Sequence, residues 1–390
     1  MKYSVENIID NYSTPAYIFD MEVLQERVNY LNKILDNKAQ ICYAIKANPF
    51  VAKYLKDSIE KFEVCSPGEL YICNDYEIAG KKIVVSGVHK EEQVMEYALN
   101  HYDGINIFTI ESLSQYELLD ELCHKYDKKI NLLVRLSSKT QFGVSEEDLW
   151  TIIDKAVDNP YLNVQGIQHY SSTQKKSIKR LTKEINQLDE LIQEINEKYP
   201  ETIKELEYGP GFPIFYFNND EFDEDEFLLE FKNILGSITS SVSVTLEIGR
   251  SLVASCGNYI TKVVDLKNIG ELNYAIVDGG IHHIAYFGQF MATKIPFIDI
   301  YPPRNCEDGK MWNICGSLCT NNDILVKELQ IEDLKINDYL VFKNTGAYCM
   351  CEGISLFLSR DLPQVIIYSQ ENGYEIARDK QAIYNLNKCQ

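Results

Sequence analysis

The chain has 390 residues, 45% of them hydrophobic and 25% charged. That is the composition of an ordinary folded protein, and it excludes a disordered or collagen-like chain. With 38 basic against 58 acidic residues the net charge is −20, which argues against binding nucleic acid or an anionic membrane face.

At roughly 150 residues per domain, the length suits one large domain and a smaller one. No run approaches the ~18 apolar residues of a spanning helix. The N-terminus, MKYSVENIIDNYSTPAYIFD, is polar where a signal peptide needs an apolar centre, so a cytoplasmic location is expected. Eleven cysteines are scattered without a paired framework. The CxC at Cys349 and Cys351 has no second ligand pair at zinc spacing, so no metal is expected.

Eight short β-branched runs follow one another: 41–47, 62–66, 82–88, 104–110, 131–137, 164–170, 205–209 and 243–249. Helical patterns lie between them. The clearest covers 174–199, where Ile178, Leu181, Ile185, Leu188, Ile192 and Ile195 share a face and Pro200 ends the run. Ser112 is placed to cap a helix through 127, and Ser145 with Asp148 to cap the next. The acidic stretch 219–226 reads as a solvated loop or a helix start. Eight strand–helix units suggest a (β/α)8 barrel, with a doubly wound sheet as the rival that periodicity does not separate. After residue 255 the texture becomes mostly β, in runs such as YITKVVDL, LNYAIVDGG, DYLVFKN and PQVIIYS.

Barrel enzymes carry their chemistry after the strands. Lys46, Ser66 with Glu69, Arg135, His169, Gly209-Pro210-Gly211 and Glu247-Ile248-Gly249-Arg250 all fall there. Singly each is weak: a lysine at a strand end is usually a surface residue, and Gly-Pro-Gly is usually a turn. Together they suit pyridoxal phosphate (PLP): a lysine for the aldehyde, a glycine-rich turn and an arginine for the phosphate, a carboxylate for the ring nitrogen, and a flat histidine for the ring.

The ordered motifs resemble the fold-type III PLP decarboxylases, the diaminopimelate, ornithine and arginine decarboxylase group. YAIKANP at 43–49, FEVCSPGEL at 62–70, QFG at 141–143, HYSS at 169–172, GPGF at 209–212, EIGR at 247–250, VDGG at 277–280, GSLCTNND at 316–323 and GAY at 346–348 carry the likeness. The resemblance implies a (β/α)8 TIM barrel of alanine-racemase type over 24–253. It also implies a β-rich domain from 1–23 and 254–390 that contributes to a homodimer interface. Lys46, Cys319, His169 and Glu247 would be catalytic. Lys46, Ser66, Arg135, His169, Ser172, Gly209, Gly211, Glu247, Gly249, Arg250 and Tyr348 would hold the cofactor. Thr320, Asp323 and His282 would meet the substrate, with Cys319 reaching the site from the partner subunit.

The departures concern the substrate. Thr320 stands where the family carries an acid after the cysteine, and IHHIAYFGQF, with His282, His283, Gly288 and Gln289, lacks both the aspartate and the arginine-proline pair that grip a distal amine or carboxylate. Ornithine, lysine and diaminopimelate are therefore disfavoured, and an aminoacyl group presented on a carrier protein is one candidate. Pro210 replaces a glycine and removes one N–H, Ser171 replaces another glycine, and the 135–143 loop is short, which suggests an open mouth. The alternatives are a fold-type III racemase, for which an arginine rather than Glu247 would face the ring nitrogen, a non-catalytic PLP-binding protein, and a flavin or phosphate-sugar barrel.

Overall fold

The computed structural model describes residues 1–102, 104–105, 107–218, 222–304 and 309–389. The chain divides into two compact units, one of Val28–Pro213 with Asp223–Gly249, the other of Met1–Arg27, Ile214–Phe222 and Arg250–Gln390.

Strand β1 (Ala16–Asp20) belongs to the second unit. The first unit is a closed barrel of β2 (Gln40–Ala44), β3 (Lys61–Val64), β4 (Ile83–Val85), β5 (Ile107–Ile110), β6 (Ile130–Arg135), β7 (Leu162–Tyr170), β8 (Glu205–Gly209) and β9 (Ser243–Ile248). All neighbours are parallel, and β9 closes on β2 through Gln40–Thr245 and Cys42–Glu247. The barrel reading was correct, and the open-sheet rival fails on that closure. Continuous apolar runs formed these strands because helices cover one face and the barrel interior takes the other. Cys42, Val84, Ile107 and Leu133 fill the middle of the interior.

The helices between the strands begin where the sequence supplies caps. Ser112 accepts from Gln115 N–H and Ser145 from Asp148 N–H. The long amphipathic helix runs Ile178–Lys198, capped by Ser177, and buries Leu181, Ile185, Leu188, Ile192 and Ile195. The periodicity had placed its start at 174, but Gln174 has φ 55° and Lys175 turns back toward the barrel, so the first four residues are a loop. Asp223 caps Glu224–Leu235, whose first-turn acids Glu224, Asp225 and Glu226 complement the helix dipole. Residues 219–221 of that acidic stretch, and Asn106 in the run 104–110, lie outside the described residues.

In the second unit, β10 (Gly257–Ile269), β11 (Leu272–Val277), β12 (Ile298–Tyr301), β13 (Lys310–Cys315), β14 (Ile324–Ile331), β15 (Tyr339–Phe342), β16 (Gln364–Ser369) and β17 (Gly373–Arg378) join β1 in a nine-stranded sheet. Strand β1 lies between β10, antiparallel, and β16, parallel. Tyr3, Ile8, Ala16, Ile18, Ile260, Val341 and Ile366 form its core. Among the described residues no helix is long and apolar enough to cross a membrane.

Candidate active site

At the carboxyl end of the barrel, β2 stops at Ala44 and a tight turn, Ile45–Ala47, carries Lys46 just past the strand. Its ammonium lies 2.7 Å from Glu63 Oε2 on β3, 3.1 Å from Glu247 Oε1 on β9 and 3.7 Å from Cys65 Sγ. Both carboxylates are buried, whereas the Lys46 side chain is 38% exposed. Glu63 and Gln168 were not singled out from the sequence. The available signal was a polar side chain inside an otherwise apolar strand, as in Phe62-Glu63-Val64.

The two carboxyls titrate in opposite directions. Burial alone would raise Glu63, but the charge and hydrogen bond of Lys46 outweigh it and bring it below the ordinary carboxyl value. Burial, then the neighbouring charge of Glu63, pushes Glu247 up. A carboxyl held this way is suited to sharing a proton with a ring nitrogen. Gln168 Nε2 donates to Glu247 Oε2 at 2.8 Å and fixes the carboxyl's orientation.

His169, at the end of β7, is 8% exposed, with Nδ1 3.1 Å from the Leu136 carbonyl. Burial lowers its pKa, so the ring is neutral with the proton on Nδ1. It lies parallel to Tyr208 at 6.4 Å and 6°. Arg135 pairs with Glu111 at 3.2 Å and stacks on Phe142 at 4.8 Å. Gly143 has φ +77°, and a side chain there would stand 2.7 Å from the Arg135 carbonyl oxygen, which explains the glycine of QFG. Ser66 caps Pro67–Asp75, accepting from Glu69 N–H, while Glu69 accepts from Cys65 N–H at 2.7 Å. The pair resembles a capping box shifted by one residue, with Glu69 accepting from the residue before the cap, and it fixes the chain where β3 enters its helix.

After β8 the chain turns through Gly209-Pro210-Gly211. Gly211 has φ +59°, and a Cβ there would meet the Ser172 carbonyl oxygen at 2.1 Å. Ser172 and the glycine turn therefore lie against each other. Beside His169 a cavity of about 830 Å3 runs between residues 136–146 and the 178–198 helix, lined by Ser137, Lys139, Ser145 and Arg180 among others. On the other side of β9, Gly249 ends the barrel unit.

The second unit begins there with Arg250, which is 9% exposed. One guanidinium nitrogen donates to Tyr216 Oη at 3.0 Å, and the group lies over Tyr348 at 4.5 Å and Phe287 at 4.8 Å. Its Nε is buried without a partner. Tyr216 and Phe287 escaped the sequence reading because nothing in their local pattern distinguishes them from core aromatics.

Cys319 and Thr320 sit in the turn before β14, with Cys319 exposed. Asp323, 2% exposed, accepts from Ile281 N–H at 2.8 Å and Leu318 N–H at 2.7 Å, so both of its oxygens bind backbone. Gly280 and Gly316 are required beside it: a side chain at either would fall within 2.6 Å of its carboxylate. His282 is 1% exposed, has no partner on either ring nitrogen, and is pushed down to about 3 by burial and then by the charge of His283. His283 bonds the Asp361 carbonyl at 2.8 Å.

Residues 21–254 match the family of pyridoxal-dependent decarboxylases over its pyridoxal-binding domain. The chain is 26% identical to a Staphylococcus aureus 2-[(L-alanin-3-ylcarbamoyl)methyl]-2-hydroxybutanedioate decarboxylase, over 91% of this chain and 94% of that one. It is 25% identical to the L-glutamyl-[BtrI acyl-carrier protein] decarboxylase of Niallia circulans, over 95% and 92%. In fold it matches a diaminopimelate decarboxylase from M. jannaschii with TM-score 0.87 at 22% identity, covering 98% of this chain and 93% of that structure.

The residues fit the cofactor this family uses. Lys46 offers an amine on a partly exposed side chain, Glu247 a carboxyl with a raised pKa, and residues 209–211 a tight glycine turn packed against Tyr170 and Ser172. In the second unit, the unpartnered Nε of Arg250 is a buried donor that an anion would satisfy. The cofactor reading thus stands on unsatisfied chemistry as well as on likeness, and the chain belongs to the pyridoxal-dependent decarboxylases.

Proposed function

We propose that this PLP-dependent amino-acid decarboxylase acts on an amino acid whose far end is enlarged or masked, such as an amide-linked or carrier-bound derivative. The observation that carries the reading is the turn after Cys319. Thr320 leaves no acid there for a distal ammonium, and Asp323, the next acid in the sequence, has both oxygens on backbone N–H groups. A free diamino acid would bring a charge with no partner, which is costly to bury. The two relatives also support the reading, one acting on a carbamoyl-linked alanine and the other on a glutamyl carrier protein.

In this reading Lys46 holds the cofactor aldehyde, Glu247 faces the ring nitrogen and Gln168 keeps Glu247 in place. His169 packs on the ring face, and its bond to the Leu136 carbonyl fixes the imidazole plane. Ser172, Gly209, Gly211, Gly249, Arg250 and Tyr348 hold the phosphate, with Ser66 and Arg135 bordering the cofactor. When bound, PLP supplies the electron sink that lets the α-carboxylate leave as carbon dioxide. The partner subunit's Cys319 returns a proton to the α-carbon, and Thr320, Asp323 and His282 shape the substrate end. Exposed Phe290, Met291, Leu356 and Leu358 support a homodimer, since a second copy would cover them.

Carbon dioxide release tests the substrate class. The PLP-loaded protein is offered free lysine, ornithine, diaminopimelate and glutamate beside amide-linked and carrier-bound aminoacyl groups. Release from the masked substrates is expected. Efficient release from a free diamino acid would overturn the Thr320 argument. Hybrid dimers of Lys46→Ala and Cys319→Ala chains should regain activity, and no recovery would place each site within one chain.

A further inference from the structure

Lys175 is 3% exposed and lies in the loop between β7 and the 178–198 helix. Its ammonium contacts Glu184 Oε2 at 2.8 Å, Ser171 Oγ and Tyr208 Oη at 3.1 Å, and the Gly209 carbonyl at 3.3 Å. Its backbone N–H donates to the Gly211 carbonyl at 2.8 Å. One residue therefore binds both carbonyls that flank Pro210. Tyr208, whose ring lies parallel to His169, donates to Glu184 at 2.6 Å. Arg180 Nε adds a bond to the other Glu184 oxygen at 3.0 Å.

The consequence follows from peptide geometry. In a trans peptide the C=O and the following N–H point in opposite directions. Drawing the Gly211 carbonyl toward Lys175 turns the Phe212 N–H away from it. Pro210 has no N–H and a fixed φ, so the Gly209 carbonyl aims no donor, and the Phe212 N–H is aimed through the Gly211 carbonyl, which the Lys175 backbone holds. We propose that Lys175 is a positioning residue for the phosphate cradle: its buried ammonium anchors the loop on Glu184, Tyr208 and the Gly209 carbonyl, and the backbone N–H so anchored holds the Gly211 carbonyl and aims the Phe212 N–H at the cofactor phosphate. The proposal rests on the cradle assigned above to Gly209 and Gly211. Glu184 keeps the lysine in place: burial would raise this carboxyl, but hydrogen bonds from Lys175 and Tyr208 bring it down to about 2. Glu184 is therefore ionised at neutral pH, and its charge and hydrogen bond oppose the burial that lowers Lys175.

The test compares two ligands on the full-length apo-protein, PLP and pyridoxal, which lacks the phosphate. Binding is followed by absorbance titration, independently of turnover. Lys175→Met should weaken PLP about tenfold or more, the scale of a lost charge-assisted bond, and leave pyridoxal within about twofold. Glu184→Gln, which keeps the lysine but loosens it, should show the same selectivity to a smaller degree, and it carries the test alone if Lys175→Met does not fold. Equal weakening of both ligands, or of neither, would overturn the proposal. Wild-type protein that binds PLP no better than pyridoxal would overturn the cradle itself and this role with it.

Discussion

Two of the barrel's lysine–glutamate clusters, both made between strands or strand ends, make a comparison. At the carboxyl end, Lys46 meets Glu63 and Glu247 and is 38% exposed. Deeper inside, Lys61 on β3 binds Glu205 on β8, with Thr245 donating to Glu205 at 2.7 Å, and Lys61 is 13% exposed. The lower cluster is closed. Its lysine is ringed by strand residues and holds three strands in register. The upper lysine stands on a turn past its strand, paired with both carboxylates and partly exposed. In the proposed reading, position relative to the strand end, and not residue type, sets the cofactor lysine apart. Between the clusters Glu207 is fully buried, and neither of its carboxyl oxygens has a partner.

The contrast breaks most sharply at the lysines. Lys46→Ala should reduce decarboxylation by roughly three orders of magnitude or more, since it removes the amine that pairs with both Glu63 and Glu247. Its urea-unfolding midpoint should stay close to wild type. Lys61→Met should do the reverse. Leaving Glu205 buried without its cation should lower stability by about 3–5 kcal/mol in urea titration, while PLP binding survives in the folded fraction. If both variants lose the cofactor and stability alike, the two clusters are one unit and the comparison fails.

Gln168→Leu sharpens the upper cluster. It removes the 2.8 Å bond that orients Glu247 and should lower kcat about tenfold with little change in KM. A loss confined to KM would move Gln168 from the ring nitrogen to the substrate.

Glu207→Gln is the mildest. Burial, then the charges of Glu247 and Glu205, holds this carboxyl far above its ordinary range. The fold therefore keeps it protonated, and stability falls as pH rises above the unfolded value near 4.5. The glutamine variant should melt a few degrees higher at pH 8 and match wild type near pH 4. A variant less stable at pH 8 would show that the acid has a partner in solution.

Much of this was legible in the chain. The eight barrel strands were visible because each is a continuous apolar run bounded by caps and glycine turns. Lys46, His169, Glu247 and Arg250 were visible because they interrupt such runs at the strand ends. Glu63, Gln168 and Glu207 were not, because whether a strand residue faces the interior depends on register with its neighbours, and only the closed pairing shows that. Lys175 was taken for the first turn of a helix, since a loop that folds back onto a glycine turn leaves no periodic trace. Asp323 was legible as a residue of interest but not in its contacts: the backbone N–H groups it binds come from Ile281 and Leu318, and the first of these lies far away in sequence.

The central claim is that the upper lysine alone carries the cofactor. The direct measurement is borohydride reduction of the PLP-loaded protein followed by peptide mapping of the pyridoxyl label. The account predicts one labelled peptide, containing Lys46, and no label on Lys61 or Lys175. Label on either of those, or none on Lys46, would contradict it.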